Sequence, residues 1–249
     1  MGEPTFVLVH GALHGAWCWE RLIPLLPGPT IAVDLPGRPG NPGSRALRDL
    51  RVQDFVDSVV HRVNDEALDW VVLVGHSMAG LTVPRVAATL GERVETMILV
   101  GAVVPPHEKC MIDDAAPVLR PLLRLRFTRQ ARRPDGAMTL PGWMAKSMFC
   151  NDMGEEDTAW VLENIVPDAP GIALEEIPSV SLKPDTGVGY VKMLRDKATL
   201  PKQADRCIAR LERPVVREID AGHSVMVSNP KALAGAIQDI RQEIGSRRP

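Results

Sequence analysis

"VLVGHSMAGL", residues 72–81, carries four apolar residues into a Gly-His-Ser turn and then continues as apolar chain. A strand that ends at Gly75 and turns at once into a helix lifts the intervening side chain to the carboxyl edge of a sheet. The backbone of such a turn is strained and closely packed, so the flanking residues must be small. Gly75, Ala79 and Gly80 satisfy that demand in a G-x-S-x-A pattern. Ser77 therefore reads as a nucleophile rather than a plain turn residue. The amide of Met78, at the start of the helix, is placed to donate to an oxyanion.

The segments around this turn alternate between strand and helix patterns. "TFVLVHGA" (5–12), "TIAVDLPG" (30–37), "DWVVLVG" (69–75) and "VETMILVGAVVP" (94–105) are short and almost wholly apolar. Between the second and third, Leu50, Phe55, Val56, Val59 and Val63 recur at helical spacing. Fully apolar strands separated by helices predict a mostly parallel sheet covered on both faces. Pro84 conflicts locally, because it falls past the first turn of a helix that starts at Ser77 and should kink it.

From residue 106 to 186 the strand rhythm stops. Prolines and arginines gather, and helical patches such as "GEEDTAWVLENIV" follow one another without strands. The strand pattern resumes in "GVGYVKML" (187–194) and "VVREIDAGH" (215–223), and "PKALAGAIQDIRQEIG" reads as a closing helix. The expected organisation is a core of residues 1–105 and 187–249 interrupted by a helical cap insertion, 106–186. Arg120, Arg124, Arg126, Arg129, Arg132 and Arg133 read as a solvated helix face.

A serine hydroxyl needs a base, and six histidines are available: His10, His14, His61, His76, His107 and His223. His61 falls within a helix pattern. His76 adjoins the serine, and its side chain should point away from the site. His223 follows a late strand in the glycine-containing loop of "IDAGHSVMVSNP", at the carboxyl edge, and is the expected base. The acid should lie between serine and histidine in the chain. Asp196, directly after "GVGYVKML", is the first choice, with Asp113 and Asp114 next and Asp220 ranked lower. "VHGALHGAW" (9–17) follows the first strand, and its Ala12 amide is the natural second oxyanion donor.

The 249 residues are 45% hydrophobic and 24% charged, enough to bury one large α/β core. Twenty-nine basic against 31 acidic residues leave a formal charge of −2, so nothing calls for nucleic acid or an anionic membrane as partner. Cys18, Cys110, Cys150 and Cys207 are scattered without metal-type spacing. No run of about 20 apolar residues spans a membrane, and "TFVLVHGA", with Glu3 just before it, reads as a strand rather than the apolar region of a signal peptide. A reduced, cytoplasmic protein without metal or organic cofactor is expected.

Together "FVLVHGALHGAWCWERLIPLL", "VDLPG", "VLVGHSMAG", "YVKMLRDKATLP" and "AGHSVMVSNP" resemble the α/β-hydrolase superfamily. More narrowly they are similar to the branch of plant methyl-ester hydrolases, hydroxynitrile lyases and bacterial carboxylesterases. The resemblance covers nearly the whole chain. It implies a triad of Ser77, Asp196 and His223, an oxyanion hole from the amides of Ala12 and Met78, and a cap that roofs the substrate pocket. The lyases carry a hydroxyl residue directly after the first-strand histidine and a lysine directly after the catalytic histidine. Gly11 and Ser224 stand there instead, and both favour an esterase. Pocket candidates are Gly11, Leu13 and Ser224, with Trp143, Met144, Met148 and Phe149 from the insertion.

The expected activity is hydrolysis of a small, mostly apolar carboxylic ester through an acyl-enzyme. The rivals are a carbon–carbon lyase on the same triad and a small-ligand receptor on the same fold. The sequence names neither the ester nor the assembly, a homodimer being among the options.

Overall fold

The computed structural model describes residues 2–43, 45–133 and 136–247. Six strands form one sheet: β1 (Thr5–Val9), β2 (Thr30–Val33), β3 (Val71–His76), β4 (Val94–Val100), β5 (Gly187–Met193) and β6 (Val215–Ile219). Their order is β2-β1-β3-β4-β5-β6. Every pairing among the described residues is parallel, in keeping with the mostly parallel sheet expected from the sequence. The chain winds outward from β1 to one edge, returns through β3, and builds the other edge with β4 to β6.

Successive residues of each strand face opposite sides of the sheet. Leu8, Val74, Ile98, Val100 and Val191 pack on one side with Leu233, Ile237 and Ile240 of the closing helix α8 (Pro230–Ser246). Val7, Leu73, Met97, Leu99 and Tyr190 pack on the other with α1 (Val52–Asp65), α2 (Val83–Leu90) and α6 (Pro201–Ile208). Burial on both faces explains the unbroken apolar runs of the sequence. The strands are shorter than those runs because their ends pass into the loops that build the site. For numbering, α7 is the single turn Val225–Ser228.

Pro84 causes no kink. Ser77–Leu81 forms a tight 3₁₀ turn, and α2 begins only at Val83, which puts Pro84 in its first turn. There a missing N–H costs nothing and the fixed φ suits the helix.

Between β4 and β5 lie α3 (Arg120–Ala131), α4 (Gly142–Phe149) and α5 (Glu155–Asn164), with 3₁₀ turns at Met111–Asp114 and Pro170–Leu174. Ala145, Phe149, Cys150 and Val161 join the core on the α8 side. The arginines of α3 do more than meet solvent. Arg124 pairs with Asp113 at 2.8 Å, and Arg120 donates to the Ala115 carbonyl at 3.0 Å. The outward face instead exposes Leu122 and Leu125.

Candidate active site

Ser77 sits at the tip of β3 with φ of 55°, left-handed backbone that a non-glycine residue adopts only under constraint. Val103 N–H donates to the Ser77 carbonyl at 3.0 Å and ties the turn to the segment after β4. A Cβ at position 80 would run into the Val103 carbonyl, so this approach requires glycine.

His223 lies in the loop after β6, and its Nε2 accepts from Ser77 Oγ at 2.9 Å. Its Nδ1–H donates to Asp196 Oδ2 at 2.8 Å. The other oxygen of Asp196 accepts the amides of Ala198 and Thr199 at 2.7 and 2.8 Å. The loops after β5 and β6 are joined by Leu194 N–H to the Ile219 carbonyl and Arg195 N–H to the Ala221 carbonyl. That pairing brings Asp196 and His223 side by side. The other carboxylates are engaged elsewhere: Asp220 with Arg195, Asp113 with Arg124, and Asp114 with Arg206 and Arg210. From the insertion, Asp152 accepts the Gly222 amide at 2.6 Å and steadies the histidine loop.

His76 makes no hydrogen bond to the Ser77 hydroxyl among the described residues, but it is not idle. Its Nε2–H donates to the His223 carbonyl at 3.0 Å, and the two rings lie 4.5 Å apart. Burial, with His223 and His14 close by, holds His76 well below the usual histidine range. It is a neutral support for the neighbouring histidine's backbone.

The loop after β1 is held by two more buried histidines. His10 Nδ1–H donates to the Gly11 carbonyl at 2.8 Å while its Nε2 accepts the Leu35 amide at 3.1 Å. His14 Nδ1–H donates to the Ala12 carbonyl at 2.8 Å, and its Nε2 accepts the Ser224 hydroxyl at 3.3 Å. Burial pushes His10 down to about 3 and His14 to about 4, so both are neutral at ordinary pH. Leu13, with φ of 64°, gives its amide to Asp168 Oδ2 at 2.8 Å. Asp168 in turn faces Arg38, both side chains fully buried. Burial opposes its ionisation, yet Arg38 and the amides of Leu13 and Ala169 hold its carboxyl below the usual carboxylate range. No spacing pattern links Arg38 to a residue 130 positions away, so the sequence reading missed this pair.

Ser77 opens onto a cavity of about 810 Å³ between the sheet edge and the insertion. Ala12, Leu13, Met78, Met148 and Phe149 line it, together with Leu123, Phe127, Met138 and Leu140. Trp143 does not: it is 72% exposed on the outer side of α4. Its place in that helix turns it to solvent while Met148 and Phe149 turn inward, which corrects the expectation of a pocket tryptophan. Gly11 and Ser224 are buried beneath the cavity rather than lining it. A Cβ at position 11 would stand 2.6 Å from the Ser77 Cβ and 3.0 Å from the His76 carbonyl oxygen. A second recess, about 920 Å³, lies under residues 177–188 and contains none of these groups. Among the described residues no three His, Cys, Asp or Glu side chains gather as a metal site would need.

A sequence profile described as "Alpha/beta hydrolase family" matches residues 6–236. The "Carbendazim hydrolyzing esterase" of Nocardioides sp. (strain SG-4G) is 30% identical over 239 residues, covering 92% of this chain and 96% of that protein. "Methylesterase 17" of Arabidopsis thaliana is 25% identical over 262 residues, covering 98% and 93%. Among solved structures, an extracellular α/β-hydrolase from a Paenibacillus species gives a TM-score of 0.80 at 17% identity, covering 96% of this chain and 99% of that one. It is described as sharing structural and functional homology with tobacco salicylic acid binding protein 2. Polyneuridine aldehyde esterase gives a TM-score of 0.76 at 21% identity, covering 96% and 99%. At such identity the structural likeness concerns the fold, and it agrees with the parallel sheet and the serine turn at its edge. A profile running from β1 into α8 leaves almost none of the core outside it, and the chain belongs to the α/β hydrolase family.

Proposed function

We propose that this protein hydrolyses small, mostly apolar carboxylic esters through an acyl-enzyme on Ser77. One observation carries the reading: the relay Ser77 Oγ, His223 Nε2 and Nδ1, Asp196 Oδ2, with steps of 2.9 and 2.8 Å, opens onto an apolar cavity. Ser77 Oγ attacks the ester carbonyl carbon as its proton passes to His223 Nε2. Asp196 stabilises the imidazolium so formed. The carbonyl oxygen, now negative, is held by the amides of Ala12 and Met78. His223 returns the proton to the leaving alcohol. It then takes one from water, whose hydroxide attacks the acyl carbon, and His223 hands that proton to Ser77 Oγ as the ester bond breaks and the acid leaves.

The backbone around the proposed hole supports this assignment. The carbonyls of Gly11, Ala12, Leu13 and His14 and the Leu13 amide are all engaged. The Ala12 amide has no hydrogen bond among the described residues. Residues 106–186 act as the cap, and Leu13, Met148 and Phe149 bound the acyl or alcohol group. The names of the two relatives, an esterase and a methylesterase, point the same way. The crowding at Gly11 leaves no place for the hydroxyl side chain that the lyases carry. At the lyases' lysine position, Ser224 bonds to His14 and offers no cation.

Among the described residues no helix is long and apolar enough to cross a membrane, and the four cysteines are free and buried. A reducing, cytoplasmic setting fits them. The apolar residues exposed at and just before α3, Val118, Leu119, Leu122 and Leu125, offer a face for a homodimer, which light scattering would read. The deciding experiment for the activity is a panel of p-nitrophenyl and methyl esters assayed on wild type and Ser77→Ala. Wild type should turn over short-chain esters, and the variant should lose this by about 10⁴-fold or more. Equal rates would reject the mechanism, and cleavage of mandelonitrile without ester hydrolysis would favour the lyase.

A further inference from the structure

Arg38 and Asp168 form an ion pair with no exposure on either side chain. Two charges taken out of water in this way seldom add stability over an apolar pair of the same volume. What this pair does show is reach. Arg38 Nε donates to the His14 carbonyl at 2.8 Å, and Nη1 donates to the Pro36 carbonyl at 3.4 Å. The guanidinium meets both carboxylate oxygens of Asp168, at 3.2 and 2.5 Å. Asp168 accepts the Leu13 amide at 2.8 Å and the Ala169 amide at 2.7 Å. Its own backbone pairs in both directions with Met138, and nearby Val166 N–H donates to the Leu13 carbonyl at 2.9 Å. Two segments far apart in sequence, at Arg38 and at 166–168, thus meet on Leu13 and His14, the two residues that follow Ala12.

We infer that Arg38 and Asp168 are positioning residues that hold the 11–14 loop so that the Ala12 amide faces the reacting carbonyl oxygen. The inference rests on the acyl-enzyme reading above and adds to it the group that sets the oxyanion hole. The left-handed Leu13 needs this support, since a leucine does not hold that conformation unaided. Binding Leu13 at both its amide and its carbonyl fixes the peptide planes on either side of it. The planar fork of Arg38 matters as well as its charge, because one cation must serve the His14 carbonyl and a carboxylate together.

An oxyanion donor acts on the transition state more than on the bound ester, so loosening the loop should lower kcat and spare KM. Losing one donor outright costs about 10²–10³ in kcat, and Arg38→Lys or Asp168→Asn should cost about 10–100-fold with KM within about twofold. The test labels each variant to completion with a fluorophosphonate, which counts competent Ser77 sites, and expresses kcat per labelled site. A merely structural role would reduce the number of labelled sites and leave kcat per site unchanged. The double variant Arg38→Met/Asp168→Leu, of similar volume and without charge, guards against loss of folding and should show the same fall in kcat.

Wild-type kcat per site in any folded variant would overturn the inference, as would failure of all three to fold. Failure of the parent reading is separate: wild type itself would then resist the fluorophosphonate, or Ser77→Ala would keep full turnover.

Discussion

Asp196 spends one oxygen on two backbone amides and the other on His223. The amides fix the carboxylate's plane, and the carboxylate fixes which imidazole nitrogen carries the proton. In the triad reading, Asp196→Asn keeps the shape but favours the wrong tautomer, and kcat should fall about 10⁴-fold with little change in KM. Asp113→Asn and Asp114→Asn remove partners of Arg124, Arg206 and Arg210 instead. They should disturb the segment between β4 and β5 and leave kcat within about tenfold of wild type. Steady-state kinetics of the three variants on one ester separates these outcomes. A collapse of turnover in Asp113→Asn or Asp114→Asn with Asp196→Asn near wild type would move the acid to the insertion. That Asp196 and His223 reach one edge of the sheet was legible in the sequence because each lies a few residues past a strand's end, where chain order and strand direction fix that edge. Arg38, Asp168 and the support role of His76 were not. Each acts on backbone distant in sequence, and no spacing encodes such a partner.

At the scale of elements, the sequence conveyed which segments were strands and their parallel arrangement, because burial on both faces makes a strand apolar at every position. It was less informative at the ends. The run at 94–105 contains a seven-residue strand, β4, and then the segment whose Val103 receives the Ser77 turn. Apolar character there serves packing against the turn, which a periodicity cannot distinguish from a strand. The same limit misplaced the start of α2. A 3₁₀ turn between Ser77 and the helix moves Pro84 from an interior site to the first turn. Pro84→Ala should therefore destabilise the protein slightly, by less than about 1 kcal/mol, through the freer unfolded chain. A strained interior proline would give the opposite result, a gain approaching the roughly 3 kcal/mol that proline costs within a helix. Urea unfolding of the variant decides between the two signs.

For the molecule as a whole, the price of this site is a set of histidines that the folded state keeps unprotonated. His10 and His14 fall to about 3 and about 4, and His76 falls well below its ordinary 6.5, each chiefly by burial. The unfolded chain binds a proton at each of them near pH 6.5, while the folded chain does not until the pH is far lower. More protons bound by the unfolded state means that stability rises with pH. The stabilisation is therefore complete above pH 6.5 and is lost as the pH falls through 6.5 toward about 4. A shift from 6.5 to about 4 at His14 is worth on the order of 3 kcal/mol. Three such groups give a slope of up to about 4 kcal/mol per pH unit, against a total stability of about 5–15 kcal/mol. Carboxylates held low, such as Asp168, act in the same direction but only below the carboxylate range near 3.8. The window between pH 6.5 and 4.5 thus belongs to the histidines, and acid unfolding should begin within it. His14→Asn retains a donor near the Ala12 carbonyl but removes the titrating ring. Its unfolding free energy, measured in urea at pH 7, 6, 5 and 4.5, should follow a slope shallower by about one proton. A wild-type curve that is flat across that window would mean the buried histidines are protonated without loss of the fold, against the packing that surrounds Ser77 here.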